Sequence, residues 1–451
     1  MRTPLPPGAL LPLDFQGTEA LSQLFTFELG LVAANTQAVP FEQLLGSELT
    51  LAMSFPGERQ GRYFSGIVSR FSSGDRNGNK RTYRAELVPA LWLLTKTTDR
   101  RIFQQKSVLD ILRQVFGGLD VSYRLEGSYE PRNYCVQYRE SDFDFASRLM
   151  EEEGIFYFFN HSAGGHQLVV GDGPAAHQDV LGPGTLTYAP RGNPPAGSPT
   201  VDSWTKSQLL RSAKVTLGDH HFELPQDRIE ATAPIQESAT AGQVTHQLQV
   251  PATANLELYD YPGGYAERFD GPERVPADAE RTAAIRIQQE AAGALEINGS
   301  SFAGNLTSGN RFALSGHFDG DGQYVLTGVD HAASLPDAGS SHLSYANAFR
   351  CIPGSLPYRP RRVTPIPTAK GLETAVVVGP AGEQIYTDAH GRIKVQFHWD
   401  RDGKHDENSS CWIRVAQPPT PGTPPVPRIG EEVVIAYEDG DPDRPIVIGR
   451  V

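Results

Sequence analysis

Hydrophobic positions in the first part of this chain recur mostly at every second residue, the period of a half-buried strand. "LFTFELGLVA" sets Phe25, Phe27, Leu29 and Leu31 on one face, and "ELTLAMSF" alternates in the same way from Leu49. "RYFSGIVSRF" (Arg62–Phe71), the turn-rich "SSGDRNGNK" and "RTYRAELVPALWLL" together predict a hairpin with a long tip. Two later stretches switch to the helical period. "SVLDILRQVFGG" gathers Val108, Leu109, Ile111, Leu112, Val115 and Phe116 on one stripe, with Ser107 as N-cap and Gly117 as a stop. "SDFDFASRLMEEEG" repeats the design, with Phe145, Ala146, Leu149 and Met150 inward and Gly154 at the end. Glu151, Glu152 and Glu153 then fall at the helix C-terminus, where the macrodipole disfavours negative charge. They are expected on a solvated face, and their placement hints at a basic partner.

"IFYFF" and "HQLVVGDG" read as strands, and the chain turns Pro- and Gly-rich over Gly182–Asp202. A largely β segment follows, broken by one helical stretch, "DAERTAAIRIQQEAAG" (Asp278–Gly293). A weak internal echo runs through these strands. A Tyr-led strand, a polar loop, a second Tyr-led strand and a proline occur in that order at Tyr63–Pro89 and again at Tyr324–Pro353. Two related β domains would explain it, and so would chance similarity between two hairpins. "LPYRPRRVTPIPTAKG" (Leu356–Gly371) is a basic, Pro-rich linker, extended and semi-rigid. Five short strands follow: Thr374–Val378, Arg392–Trp399, Cys411–Val415, Glu432–Tyr437 and Pro445–Val451. So many in so short a segment predict a small closed barrel of the OB type.

Composition agrees with a mainly β protein containing a few helices: 45 Gly and 35 Pro supply turns, and 9% of residues are aromatic. Its length suggests about three domains. A net charge of −13 argues against nucleic-acid or anionic-membrane binding. Cys135, Cys351 and Cys411 are far apart and odd in number, which fits a reducing compartment. The N-terminal "MRTPLPPGALLPLDF" has prolines where a signal peptide needs an unbroken apolar run, and no stretch is long enough to span a bilayer. The expectation is a cytoplasmic chain without a signal peptide, exported by other means if it leaves the cell.

Candidate chemistry is sparse. The richest stretch is "GEQIYTDAHGRIKVQFHWDRDGKHDENSSC" (Gly382–Cys411). Strand periodicity puts Ile393, Val395, Phe397 and Trp399 inward and His398 on the polar face. Asp400, Asp402 and Asp406 resemble a calcium loop, but the glycine falls at the wrong offset and no bidentate glutamate follows. A metal-dependent hydrolase centred on His398, Asp400 and Asp402 is the enzyme alternative; a charged hairpin tip is the favoured reading. "GDGPAA" (Gly171–Ala176) matches a dinucleotide pattern only formally, since Pro174 interrupts it. His220 and His221 are adjacent, and on a strand they would face opposite ways. Metalloprotease, hydrolase-elbow, P-loop and kinase motifs are absent. No catalytic residue, cofactor or metal is therefore expected.

Two long motifs carry a resemblance. "RIFQQKSVLDILRQVF" (Arg101–Phe116) followed by "YCVQYRESDFDFASRLMEEEGIFYFF" (Tyr134–Phe159) is similar to the core signature of the VgrG family, the type VI secretion spike. The Gly382–Cys411 stretch, "CWIRVAQ" and "PRIGEEVVIAYEDGDPDRPIVIGRV" resemble that family's OB barrel. The resemblance implies a phage tail-hub-like region over 1–355, with two related tube-like β-barrels at 1–95 and 201–355 around a helix-containing segment, 96–200. A Pro-rich linker, 356–373, and the five-stranded OB domain, 374–451, would follow. It further implies a homotrimer that caps the Hcp tube, contacts baseplate proteins and carries a PAAR tip protein and effectors through a β-helical needle. Such a protein would be assembled in the bacterial cytoplasm and then delivered into a target cell, without nucleic-acid binding or stable membrane insertion. The needle would begin at the spike junction Arg450–Val451. The alternative of the same class is the baseplate hub of a phage or phage-like particle. One departure from the family pattern is the Pro-rich "PPTPGTPPVPRIG" (Pro418–Gly430), which could change how neighbouring barrels dock.

Overall fold

The computed structural model describes residues 1–55, 61–190, 194, 196–417 and 426–451. The Pro-rich stretch Pro418–Gly430 therefore lies largely outside the described residues. An eleven-stranded antiparallel-rich sheet dominates the N-terminal body. Six of its strands close on themselves in the order Arg311–Ser315, Thr185–Tyr188, Thr200–Gln208, Leu295–Ser301, Ser344–Pro353 and Gly322–Ser334, because the last pairs back to the first. The Gly322–Ser334 strand also pairs with Leu11–Ala20. From there the sheet continues through Thr26–Ala34, Lys80–Val88, Arg62–Asn77 and Glu48–Met53 as an open half-barrel. Its outer edge is blunted by Arg2, whose backbone exchanges hydrogen bonds with Thr50. Of the two expected barrels, one is thus closed and the other open. Both Tyr-led hairpins lie in this sheet.

The helices follow their caps. The chain makes one turn, α1 (Phe41–Leu44), then α2 (Val108–Val115), α3 (Asp142–Glu153) and α4 (Val275–Ala292). The Ser107 and Ser141 hydroxyls accept from the amides of Asp110 and Asp144, each satisfying an otherwise orphaned donor. α3 ends at Gly154 with φ of 70°, a left-handed position that glycine occupies at little cost. Among the described residues no helix is long and apolar enough to cross a membrane.

The C-terminal barrel is a five-stranded sheet ordered Lys394–Phe397, Glu373–Val378, Glu432–Tyr437, Pro445–Arg450 and Arg414–Val415. A bridge between Ile393 and Ile413 closes it. Ala375, Val377, Val395, Phe397, Ile413, Val433, Ile435 and Val447 fill its core. Three strands are shorter than their periodicity predicts: Lys394–Phe397, Arg414–Val415 and, by one residue, Pro445–Arg450. The Lys394–Phe397 strand stops before His398, which sits in a turn, because Gln396 folds inward to serve the following loop. Its amide donates to the Asp400 carboxylate at 3.1 Å and accepts from the His405 N–H at 3.2 Å. Gln396 is consequently buried rather than on an outer polar face.

Candidate functional site

The feature that joins the two bodies is a two-stranded antiparallel ribbon, Thr98–Lys106 paired with Arg132–Ser141. Side chains on a strand alternate between faces, and here each face belongs to a different core. Phe103 and Cys135 point into the N-terminal core beneath α2 and α3. Tyr134, Val136 and Tyr138 belong to the C-terminal barrel's core, with Ile102 packed against it. Cys135 is fully buried, which pushes its thiol pKa well up; Cys351 and Cys411 are likewise free and buried.

Polar groups fix the ribbon at defined points. Glu373 enters the barrel's first strand and accepts from the Tyr138 hydroxyl (2.6 Å), the Tyr437 hydroxyl (2.7 Å) and the Trp399 indole (2.8 Å). Arg100 stands over the Tyr138 ring at 4.8 Å. Burial works against the Glu373 charge, but the three donors outweigh it and hold the carboxyl below its ordinary range. On the other side, Asp443 in the turn "GDPDRP" accepts the backbone N–H of Val136 at 2.6 Å. Burial and the neighbouring Asp441 push the Asp443 carboxyl up to about 8. The Val136 carbonyl accepts from Arg148 at 2.8 Å, and that guanidinium forms a buried two-point pair with Glu140.

The acidic triple at the end of α3 is not solvated. Glu151 and Glu153 are buried, and each of the three carboxylates has its own partners. Glu151 accepts the amides of Val363 and Thr364 and the Thr364 hydroxyl, pinning the linker. Glu152 takes Arg132 at 3.0 Å and Arg268 at 2.8 Å. Glu153 pairs with Arg132 and with Arg281. Burial would raise the Glu152 and Glu153 pKa values, but the arginines prevail and hold both down. The expected solvated face is corrected, and the basic partner it hinted at is the chain's own ribbon and α4. A third set of contacts places Phe222 between Arg392 and Arg414, with ring-to-guanidinium distances of 5.0 and 5.4 Å. Arg444 bonds Glu438 at 3.0 Å and lies 3.6 Å from Asp219.

The residues singled out for chemistry do not converge. The His398 imidazole lies 3.6 Å from Glu432, whereas Asp400 caps its own loop by accepting the amides of Asp402 and Gly403. Among the described residues no group of three or more His, Cys, Asp or Glu side chains is placed to hold a metal ion. His221 accepts the Glu223 amide. Arg450 ends the last strand and pairs with Glu431 at 3.2 Å, and Val451 donates its N–H to the Glu432 carbonyl, its side chain exposed. Glu373, Asp443, Arg268 and Phe222 were not foreseen as functional. The one sequence signal pointing to this cluster was three acids at the wrong end of a helix dipole.

Fold and joint together define a tail-hub protein fused to an injector-type OB barrel. Residues 18–337 match the phage tail baseplate hub (GPD) family, and residues 377–451 match the type VI secretion system/phage-baseplate injector OB domain. The chain belongs to the VgrG family of type VI secretion spike proteins. The Pseudomonas aeruginosa spike proteins VgrG1c and VgrG1a are each 39% identical to it, over 100% and 99% of this chain and 60% and 68% of their own. It thus spans 60% of the length of VgrG1c. In fold, it is similar to the E. coli c3393 protein, described as a type VI secretion component with structural similarity to the T4 bacteriophage tail proteins gp27 and gp5. The TM-score is 0.66 at 21% identity, covering 100% of this chain and 99% of that one. It is also similar to a chain of the lidded Francisella PdpA–VgrG complex, with a TM-score of 0.63 at 11% identity over 98% of this chain and 67% of that one.

Proposed function

We propose that this chain is the hub and spike base of a type VI secretion machine and that its work is mechanical, without catalysis. It forms a homotrimer that caps the Hcp tube and meets the baseplate. Arg450–Val451 is its junction to a needle bearing a PAAR tip protein and effectors. The machine is assembled in the cytoplasm and delivered into a target cell. The two Tyr-led hairpins support a division into related units at 1–95 and 201–355 around 96–200, followed by the linker 356–373 and the barrel 374–451. Three hubs carrying two such units each would present six to a six-fold tube.

The observation that carries this reading is the ribbon joint. A spike base must pass an axial push between hub and barrel without hinging, and two cores sharing one ribbon, with buried ion pairs beside it, resist such hinging. The test is complementation of a secreting strain lacking its own copy, scored by release of the tube protein. Wild-type sequence followed by a needle should restore release, and Glu373→Ala together with Glu152→Ala should lower release per amount of folded protein. Full release by the doubly altered, folded chain would overturn the mechanical role of the joint.

A further inference from the structure

A cleft of about 270 Å³ opens between α3, the turn at Ser22–Leu24 and the linker. Leu24, Phe143, Met150 and Ile155 line its hub side, and Pro360 and Val363 wall it from the linker. Among the described residues Glu151 carries the one charge in this lining, and it is already engaged. One of its oxygens accepts the Val363 and Thr364 amides, and the other accepts the Thr364 hydroxyl. Val363 is exposed, so the cleft is open to solvent at the linker.

Two hydroxyls in the same lining are unmet. Those of Ser147 and Tyr157 are buried without a hydrogen-bond partner among the described residues, and both residues are more than nine-tenths buried. A buried hydroxyl without a partner is costly, and a ligand that reaches it removes that cost. Each can both donate and accept, so a third hydroxyl is a matching partner for either. With no free cation in the lining and its carboxylate engaged, the cleft offers a charged ligand no counter-ion. Its volume is below that of a drug-sized site and suits a single ring.

We propose that this cleft binds a neutral, ring-sized apolar molecule that carries a hydroxyl, a simple phenol being the type, with the hydroxyl turned to Ser147 and Tyr157. Phe143 and Met150 belong to α3 and Pro360 and Val363 to the linker, so the ring packs against both. An occupant therefore holds the linker to the hub by apolar contact, beside the polar pin at Glu151.

The test is titration of 4-fluorophenol with the full chain, read by fluorine NMR linewidth and by thermal unfolding. The resonance should broaden saturably and the unfolding midpoint should rise. Tyr157→Phe and Ser147→Ala should each raise the half-saturating concentration about fivefold, the loss of one neutral hydrogen bond. Fluorobenzene, the same ring without the hydroxyl, should bind more weakly by about the same factor or more. Phe318→Ala, an exposed apolar change outside the cleft, should behave as wild type. The free chain gives a second readout: Tyr157→Phe removes an unmet hydroxyl and should raise the unfolding midpoint without ligand. No saturable broadening, or an unchanged half-saturation in Tyr157→Phe or Ser147→Ala, overturns the site. A lowered midpoint in ligand-free Tyr157→Phe shows a hydroxyl already partnered and overturns it as well. Equal binding of fluorobenzene overturns the hydroxyl assignment.

Discussion

At Asp443 a single carboxyl serves two incompatible demands. Its oxygen is the acceptor for the Val136 N–H, yet it is buried beside Asp441. With its folded pKa raised to about 8 against about 3.9 unfolded, the native state holds an extra proton between those values. The stability it lends is full below the unfolded pKa and is lost as pH rises through the folded one. Glu152 and Glu153, held down by arginine, act oppositely: their contribution is present above the ordinary carboxylate range and is lost on acidification below about pH 4. Urea unfolding followed across pH should therefore show the joint strongest near about pH 5, weakening on both sides. Asp443→Asn keeps an acceptor for Val136 and should reduce the alkaline decline, leaving the part due to buried Asp441, while the acid decline stays. Glu373 poses a simpler case. Glu373→Ala strands two hydroxyls and an indole N–H, and should cost about 3 kcal/mol in the unfolding transition followed by tryptophan fluorescence.

At the scale of elements, α3 is the piece on which the joint turns. Its Ser141 cap, apolar stripe and Gly154 stop were legible from spacing alone, as were the five strands of the C-terminal barrel and the early hairpins. Local pattern encodes these because each depends on residues a few positions apart. The fate of Glu151–Glu153 did not show, since Arg268 and Arg281 lie more than a hundred residues further on and no local rule links them. Nor could periodicity show that Gln396 would abandon its outer face to serve a loop, or which of two curled sheets would close. Tertiary partners decide such matters. Glu152→Ala leaves Arg132 and Arg268 buried short of a counterion, and should lower stability by about 3 kcal/mol in thermal unfolding. Gly154→Ala puts a side chain on a left-handed backbone, with its Cβ 3.0 Å from the Arg359 side chain, and should cost about 1–2 kcal/mol by the same measurement.

For the molecule as a whole, the hub, linker and barrel are tied together by contacts at the ribbon and beside it. The OB barrel supplies Glu373 and Asp443, the linker is held at Glu151, and Phe222 lies between two arginines of the barrel. The proposed trimer belongs to this scale too. A mass measurement in solution at high concentration should return three times the monomer mass, and a persistent monomer would count against self-assembly by these residues alone.

The ribbon also sets a problem of timing. Tyr134, Val136 and Tyr138 leave the ribosome roughly 240 residues before the barrel strands that cover them, on the order of ten to fifty seconds at bacterial synthesis rates. Throughout that interval the growing hub displays a bare aromatic strip awaiting its lid. A chain ended at residue 355 should bind a hydrophobic dye and self-associate. Replacing Val136 and Tyr138 with Thr should quiet that behaviour while denying the full chain its seat for the barrel.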